Sequence, residues 1–197
     1  MATAPNKVKY NLKNVHYAVH NPPEEGDMPT LGTPVPIKGA VSLSLNAQGN
    51  STPFYADGMV YYMVNSNNGY QGDLQIALIP DTFRKDVLFE VEDTTSKVLS
   101  EYNDVQPKNI ALLFEFDGDV KAIRHVLYNC KVTRPSITGQ TTTETVEPQT
   151  DTLSLAATPL PNGLIKSHTT ADTTDEAYNA WYENVYMPEE RVPAAKA

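Results

Sequence analysis

The sequence predicts a mainly β protein: an antiparallel β-sandwich or barrel-like fold with one short flanking α-helix and extended N- and C-terminal arms. Three observations carry this. Apolar residues alternate with polar or small ones in several separate stretches, the period of a half-buried strand. Asn68-Gly69 and Asp117-Gly118 supply the positive φ values that tight hairpin turns need. Helical spacing is confined to one short internal run and a second near the C-terminus.

Residues 1–34 read as an N-terminal arm or extended loop, because the prolines of NPPEEGDMPTLGTPVP fix φ and remove donors. From Val35 the pattern changes: Ile37, Gly39, Val41, Leu43 and Leu45 alternate with polar or small residues, which predicts a strand ending near Asn46. AQGNSTPFYADG, with two glycines and a proline, reads as a long exposed loop. MVYYMVN and DLQIALI flank Asn68-Gly69 and predict a hairpin with each other. Pro80 ends the second strand, Asp81 can cap, and Phe83, Val87 and Val91 at i, i+4, i+8 predict a short amphipathic helix. Ile110, Leu112, Phe114 and Phe116 alternate with Ala111, Leu113, Glu115 and Asp117, and KAIRHVLYNCKVTR returns, giving a second hairpin. TTTETVEPQTDTLSLAATPL reads as a further strand, interrupted at Pro148 and firm at Leu153, Leu155 and Ala157. The sandwich domain thus spans 35–169. Residues 170–197 form a C-terminal arm in which Thr173 and Glu176 make a candidate capping box, with Tyr178, Trp181, Tyr182 and Val185 on one helical face.

Composition excludes several classes. With 197 residues the chain suits one domain, and 15 basic against 24 acidic residues leave a net charge of −9, which gives no electrostatic means of gripping phosphates or anionic lipid. No apolar run approaches the length of a membrane span, so a soluble protein without membrane anchoring is expected. MATAPNKVKYNLKN has basic residues with no apolar stretch behind them, so synthesis and folding in the cytoplasm are expected. Phosphate loops, GxSxG, HExxH and CxxC are absent from the sequence. His16 and His20 stand four apart with no third ligand at a matching spacing, so no metal or other cofactor is expected. EFDGD at 115–119 lacks the fuller calcium-loop pattern and reads as a turn, Asn50-Ser51-Thr52 reads as a polar loop, and Cys130 reads as a small core side chain. A hydrolase built on a carboxylate pair has no support in the spacing. No enzyme is expected.

VPIKGAVSLSLNAQGNSTPFYADG, NNGYQGDLQIALIPDTFRKDVL, ALLFEFDGDVKAIRHVLYNCKVTRPS and LSLAATPLPNG, in this order, resemble the major tail tube protein of siphoviruses, the long non-contractile-tailed phages, in the form common among phages of low-GC Gram-positive bacteria. The resemblance covers nearly all of residues 10–187. A glycine is common in that family just after the IALIPD helix, where this chain has Phe89. The resemblance implies a structural virion protein that forms hexameric rings, stacked into a tube that conducts DNA from capsid to host. Its partners would be other copies of itself and other tail components, with double-stranded DNA passing through unbound. It would be assembled in the host cytoplasm and end in the virion tail. An acidic lumen would suit passage, since it gives no counterion-release gain on contact. Asp73, Glu115 and Asp117 are candidate lumen-facing carboxylates, and Gln48, Asn50, Pro53, Phe54, Tyr55, Trp181 and Tyr182 are candidate inter-ring contacts. The alternative is a non-catalytic β-sandwich binding module for carbohydrate or protein, with Tyr61, Tyr62, Tyr70 and Tyr128 as a stacking face.

Overall fold

A computed structural model describes residues 4–23, 28–142 and 147–189. Strands hold 46% of the described residues and helices 8%, so pairing between strands carries the fold. In chain order the first seven strands are β1 (Lys9–Asn21), β2 (Thr30–Leu31), β3 (Val35–Pro36), β4 (Ala40–Gln48), β5 (Ser51–Ala56), β6 (Met59–Asn65) and β7 (Gly69–Ile76). Helix α1 (Asp81–Asp86) follows, then β8 (Val91–Glu92), β9 (Leu99–Ser100), β10 (Asn109–Gly118), β11 (Ile123–Val132), β12 (Asp151–Ala157), β13 (Lys166–His168) and α2 (Asp175–Asn179), which runs into a 3-10 turn at Ala180–Tyr182. The large sheet is antiparallel in the order β2-β1-β10-β11-β12-β7-β4, with β3 also on β1 and β13 also on β11. The protein is mainly β and sandwich-like, as its alternating stretches predict.

Both faces of the sheet's centre are buried, and the sequence of β10 reflects it. Ile110, Leu112 and Phe114 join the main core with Tyr17, Leu74, Ile76, Leu127, Leu153 and Leu155. Ala111 and Leu113 point the other way, into a second cluster with Ala18, Val126, Tyr128, Leu160 and Trp181. A strand buried on both sides reads as a continuous apolar run, and IALLF is one. The expected β10–β11 hairpin forms, with Phe114 opposite His125 and Phe116 opposite Ile123, but Asp117-Gly118 is not its turn: both residues lie in β10, neither has a positive φ, and the chain reverses at 119–122. β12 also forms as expected, with Leu153, Leu155 and Ala157 buried.

Four further expectations are corrected. The first concerns the N-terminal arm: residues 9–21 form the longest strand, paired with β10 through the middle of the sheet, with Val15, Tyr17 and Ala18 buried. Register shifts between Tyr10 and Leu12 and between Lys13 and His16 break the period-two pattern. Asn11 and Asn14 have φ of 53° and 50°, and asparagine tolerates that conformation at bulges. Within the expected strand from Val35 to Asn46, Gly39 at φ 86° separates β3 from β4, and Ile37 plugs into the core between them.

The second correction is the hairpin partner. Residues 51–56 of the expected long loop form β5, and β6 pairs with it and not with β7, because Asp57 and Gly58, at φ 52° and 76°, make the turn. β7 instead lies between β4 and β12. Asn68-Gly69 brings the chain back into the sheet: Gly69 has φ 103°, and a Cβ there would stand 1.9 Å from the Ala157 carbonyl oxygen. Gly69→Ala combines a left-handed backbone with a clash against backbone, and is expected to lower stability by about 2–4 kcal/mol. A urea midpoint unchanged from wild type would refute this reading of the junction.

Third, the expected helix is shorter. α1 buries Phe83, with Val87 buried just after it, but Val91 belongs to β8 and is exposed. Asp81 is the first-turn acid and makes no cap hydrogen bond. Phe89 sits at φ 60°, the left-handed region that glycine favours, and its ring lies 4.6 Å from Lys108 Nζ.

Fourth, the C-terminal helix α2 is capped at Thr174 and not at Thr173. Thr174, one residue after the expected cap, accepts from the Ala177 amide at 3.4 Å. The aromatic residues that follow cover the second face of the sheet. The tail at 190–197 and the expected strand residues 143–146 lie outside the described residues. Among the described residues, no helix is long and apolar enough to cross a membrane.

Candidate assembly surface

The β5–β6 ribbon stands apart from the large sheet as a two-stranded sheet of its own. Its sequence from 51 to 65 contains one charged residue, Asp57 at the turn. Phe54, Tyr55, Met59, Val60, Tyr61, Tyr62, Met63 and Val64 are all between 48% and 71% exposed. Successive strand residues point to opposite faces, so exposure of both Tyr61 and Tyr62 means that neither face of the ribbon is covered. An isolated two-stranded hairpin is marginal in water, and a contiguous apolar surface of this kind marks an interaction site. The ribbon is tied to the body at its base, where the Asn68 amide donates to the Gln48 carbonyl at 2.8 Å and the Ser66 amide to that of Asn50 at 2.9 Å.

Five of the expected contact residues fall on this element. Gln48 and Asn50 sit at the stem, and Pro53, Phe54 and Tyr55 on β5. The other two do not share the surface. Trp181 is 3% exposed within the second cluster, and the half-buried Tyr182 donates its hydroxyl to Glu115 Oε2 at 3.2 Å. Aromatic residues at helical spacing are placed here by the apolar face they cover.

The three expected lumen carboxylates also part ways. Glu115 is 3% exposed, so it is not an open acidic surface group. It accepts from Arg124 Nε at 3.0 Å and Asn14 Nδ2 at 2.8 Å, and Lys13 Nζ lies 3.6 Å away. Arg124 also donates to the Tyr178 carbonyl and stacks 3.8 Å over the Tyr178 ring. Burial, then the Glu115 charge, pushes the Tyr182 hydroxyl well above its ordinary pKa. Asp117 pairs with Lys13 and accepts from Asn11 Nδ2 at 2.8 Å, contacts that hold its carboxyl below the usual range. Asp73 is the exposed member of the three and accepts from Ser154 Oγ at 2.6 Å.

An open groove of about 370 Å³ lies between the two walls of the main core, lined by Leu43, Leu45, Tyr70, Phe114, Phe116 and Leu127. Lys9 and Lys166 also line it, as does His125, which stacks on Phe114 at 5.1 Å and on His168 at 5.6 Å. His125 Nε2 is buried with no hydrogen-bond partner. Burial first, then His168, Lys9 and Lys166, pushes its pKa down to about 4. Between pH 6.5 and 4 the unfolded state takes up this proton and the folded state does not, so this group lowers stability as pH falls through that window, by up to about 3 kcal/mol, with no further change below it. His125→Phe is expected to flatten this part of the profile in denaturation curves at pH 7 and pH 4.5. Equal slopes for the variant and wild type would refute it.

The four tyrosines do not form one stacking face: Tyr128 is fully buried, Tyr70 lines the groove, and Tyr61 and Tyr62 are on the hairpin. His16 Nδ1 meets the Asn14 carbonyl and His20 Nε2 that of Tyr128. No group of three metal-binding side chains occurs among the described residues. Burial pushes the Cys130 thiol up to about 12, the reverse of an activated thiolate.

Fold and surface together define a class: a mainly β sandwich-like protein bearing a projecting apolar hairpin. Comparison with known families and with curated proteins finds no match in either.

Proposed function

We propose that this protein is a structural subunit that assembles with itself, in the form the sequence resemblance implies: hexameric rings stacked into the tail tube of a long-tailed phage, the conduit for DNA ejection. The observation that carries self-assembly is the β5–β6 hairpin, apolar on both faces and uncovered in the single chain. The sheet adds a second means of association, since β4 and the short β2 and β3 end it as edge strands with open backbone groups. Pairing such edges around a ring removes them. The acidic balance of the chain suits a conduit that must release double-stranded DNA. No turnover is involved, and other tail components would be its further partners.

Val60→Lys with Tyr62→Lys tests the surface. These side chains leave the core untouched, so the unfolding free energy should stay within about 0.5 kcal/mol of wild type. Sedimentation velocity should show the variant as monomer at concentrations where wild type forms large particles. Assembly unaffected by two lysines on this ribbon would overturn the proposal.

A further inference from the structure

Residues of α1 and its exit cover one end of the main core. Phe83, Val87 and Leu88, from α1 and its exit, complete it beside Ile76 and Ile110. At the other end of the same strands the walls stay apart and leave the groove, whose volume is at the lower end of ligand pockets, about 300–1,000 Å³. Two features of that groove describe what would fill it. Its walls carry apolar and aromatic side chains together with Ser44 and His125, and among the described residues its lysines are Lys9 and Lys166, whose ammonium groups lie 4.8 Å and 4.6 Å from the Phe116 and Tyr70 rings. Neither lysine has an ion-pair partner among the described residues. The complementary object is an apolar segment with one carboxylate at its tip.

This chain carries such a segment. The β5–β6 ribbon is apolar beyond its base at Ser51, Thr52 and Asn65, its single charge is Asp57 at the turn, and Tyr55 and Met59 flank that turn, each 64% exposed. Asp57 has no ion-pair partner among the described residues, and no residue of the ribbon lines the chain's own groove. We propose that the hairpin tip of one copy inserts into the groove of a second copy, placing Asp57 between Lys9 and Lys166 while Tyr55 and Met59 cover the open end of the core.

Position decides what kind of assembly this contact builds. The ribbon leaves the body after Gln48 and returns at Gly69, which face each other across β4 and β7, next to Tyr70 and Leu45 of the groove wall. The base of the hairpin and the groove are therefore at the same end of the subunit. Hairpin tip and groove are different surfaces, so the contact is heterologous, and it builds a ring where the rotation between successive copies closes.

The inference rests on the self-assembly reading, and the test separates the two. Asp57→Cys and Lys166→Cys are prepared separately, mixed and oxidised; Cys130 is buried and stays out of the reaction. A disulfide-linked dimer is expected in the mixture and in neither preparation alone. Asp57→Lys should raise the concentration needed for assembly about tenfold or more, and Lys9→Glu with Lys166→Glu should restore it. Particles that form with no cross-link and no response to charge reversal would overturn the groove contact and leave self-assembly standing. A wild type that never associates would overturn both, and a disulfide inside dilute monomers of the doubly substituted chain would show that the hairpin fills its own groove and overturn the contact between copies.

Discussion

Glu115→Ala is expected to lower the unfolding free energy by about 3–5 kcal/mol. The carboxylate is 3% exposed and lies in β10 under the C-terminal segment. It is the acceptor for Arg124, Asn14 and Tyr182, and Lys13 lies beside it. Deleting it leaves the Arg124 guanidinium, whose side chain is 17% exposed, without its carboxylate, and such a loss costs more than the pair contributes when intact. Glu115→Gln keeps the volume and part of the hydrogen bonding, so it should lose less. Urea denaturation measures both. A loss below about 1 kcal/mol for Glu115→Ala would mean that water reaches these groups readily and that the network is a surface feature.

Trp181→Ala carries a comparable expected loss, about 3–5 kcal/mol, the range for removing a large buried aromatic side chain. Its ring fills the cluster formed by Ala18, Ala111, Leu113, Val126, Tyr128 and Leu160 and stacks on Tyr186 at 5.5 Å. The same segment is held by the Tyr128 hydroxyl, which donates to the Tyr186 carbonyl at 2.8 Å. Weakening it exposes a second apolar face of the sheet, so binding of a hydrophobic dye should rise and proteolysis should begin between residues 170 and 189. Unaltered protease resistance would contradict the role given to this segment.

The parts of the fold that followed from sequence are those where a strand keeps its period. β12 alternates cleanly over Leu153, Leu155 and Ala157, and the β10–β11 hairpin has alternating apolar residues on both sides of its turn. β1 escaped because two bulges, each at an asparagine with positive φ, shift the alternation partway along the strand. The wrong partner for β6 came from two competing turn signals, Asp57-Gly58 and Asn68-Gly69, of which only the first lies between strands that pair with each other. A usable cue was present: eight large apolar residues on both faces of one ribbon, with a single charge, cannot be a half-buried strand of a sheet. Glu115 looked like the polar half of an alternating strand because the segment that buries it lies more than sixty residues further on, at Tyr182. The run IALLF is the sequence's own sign that both faces of β10 are covered.

Sedimentation velocity of the wild-type chain over a concentration series, with negative-stain microscopy of the fastest fraction, tests self-assembly most directly. Ring-sized species giving way to hollow tubes as concentration rises is the predicted result, and a single monomer boundary at every concentration would contradict it.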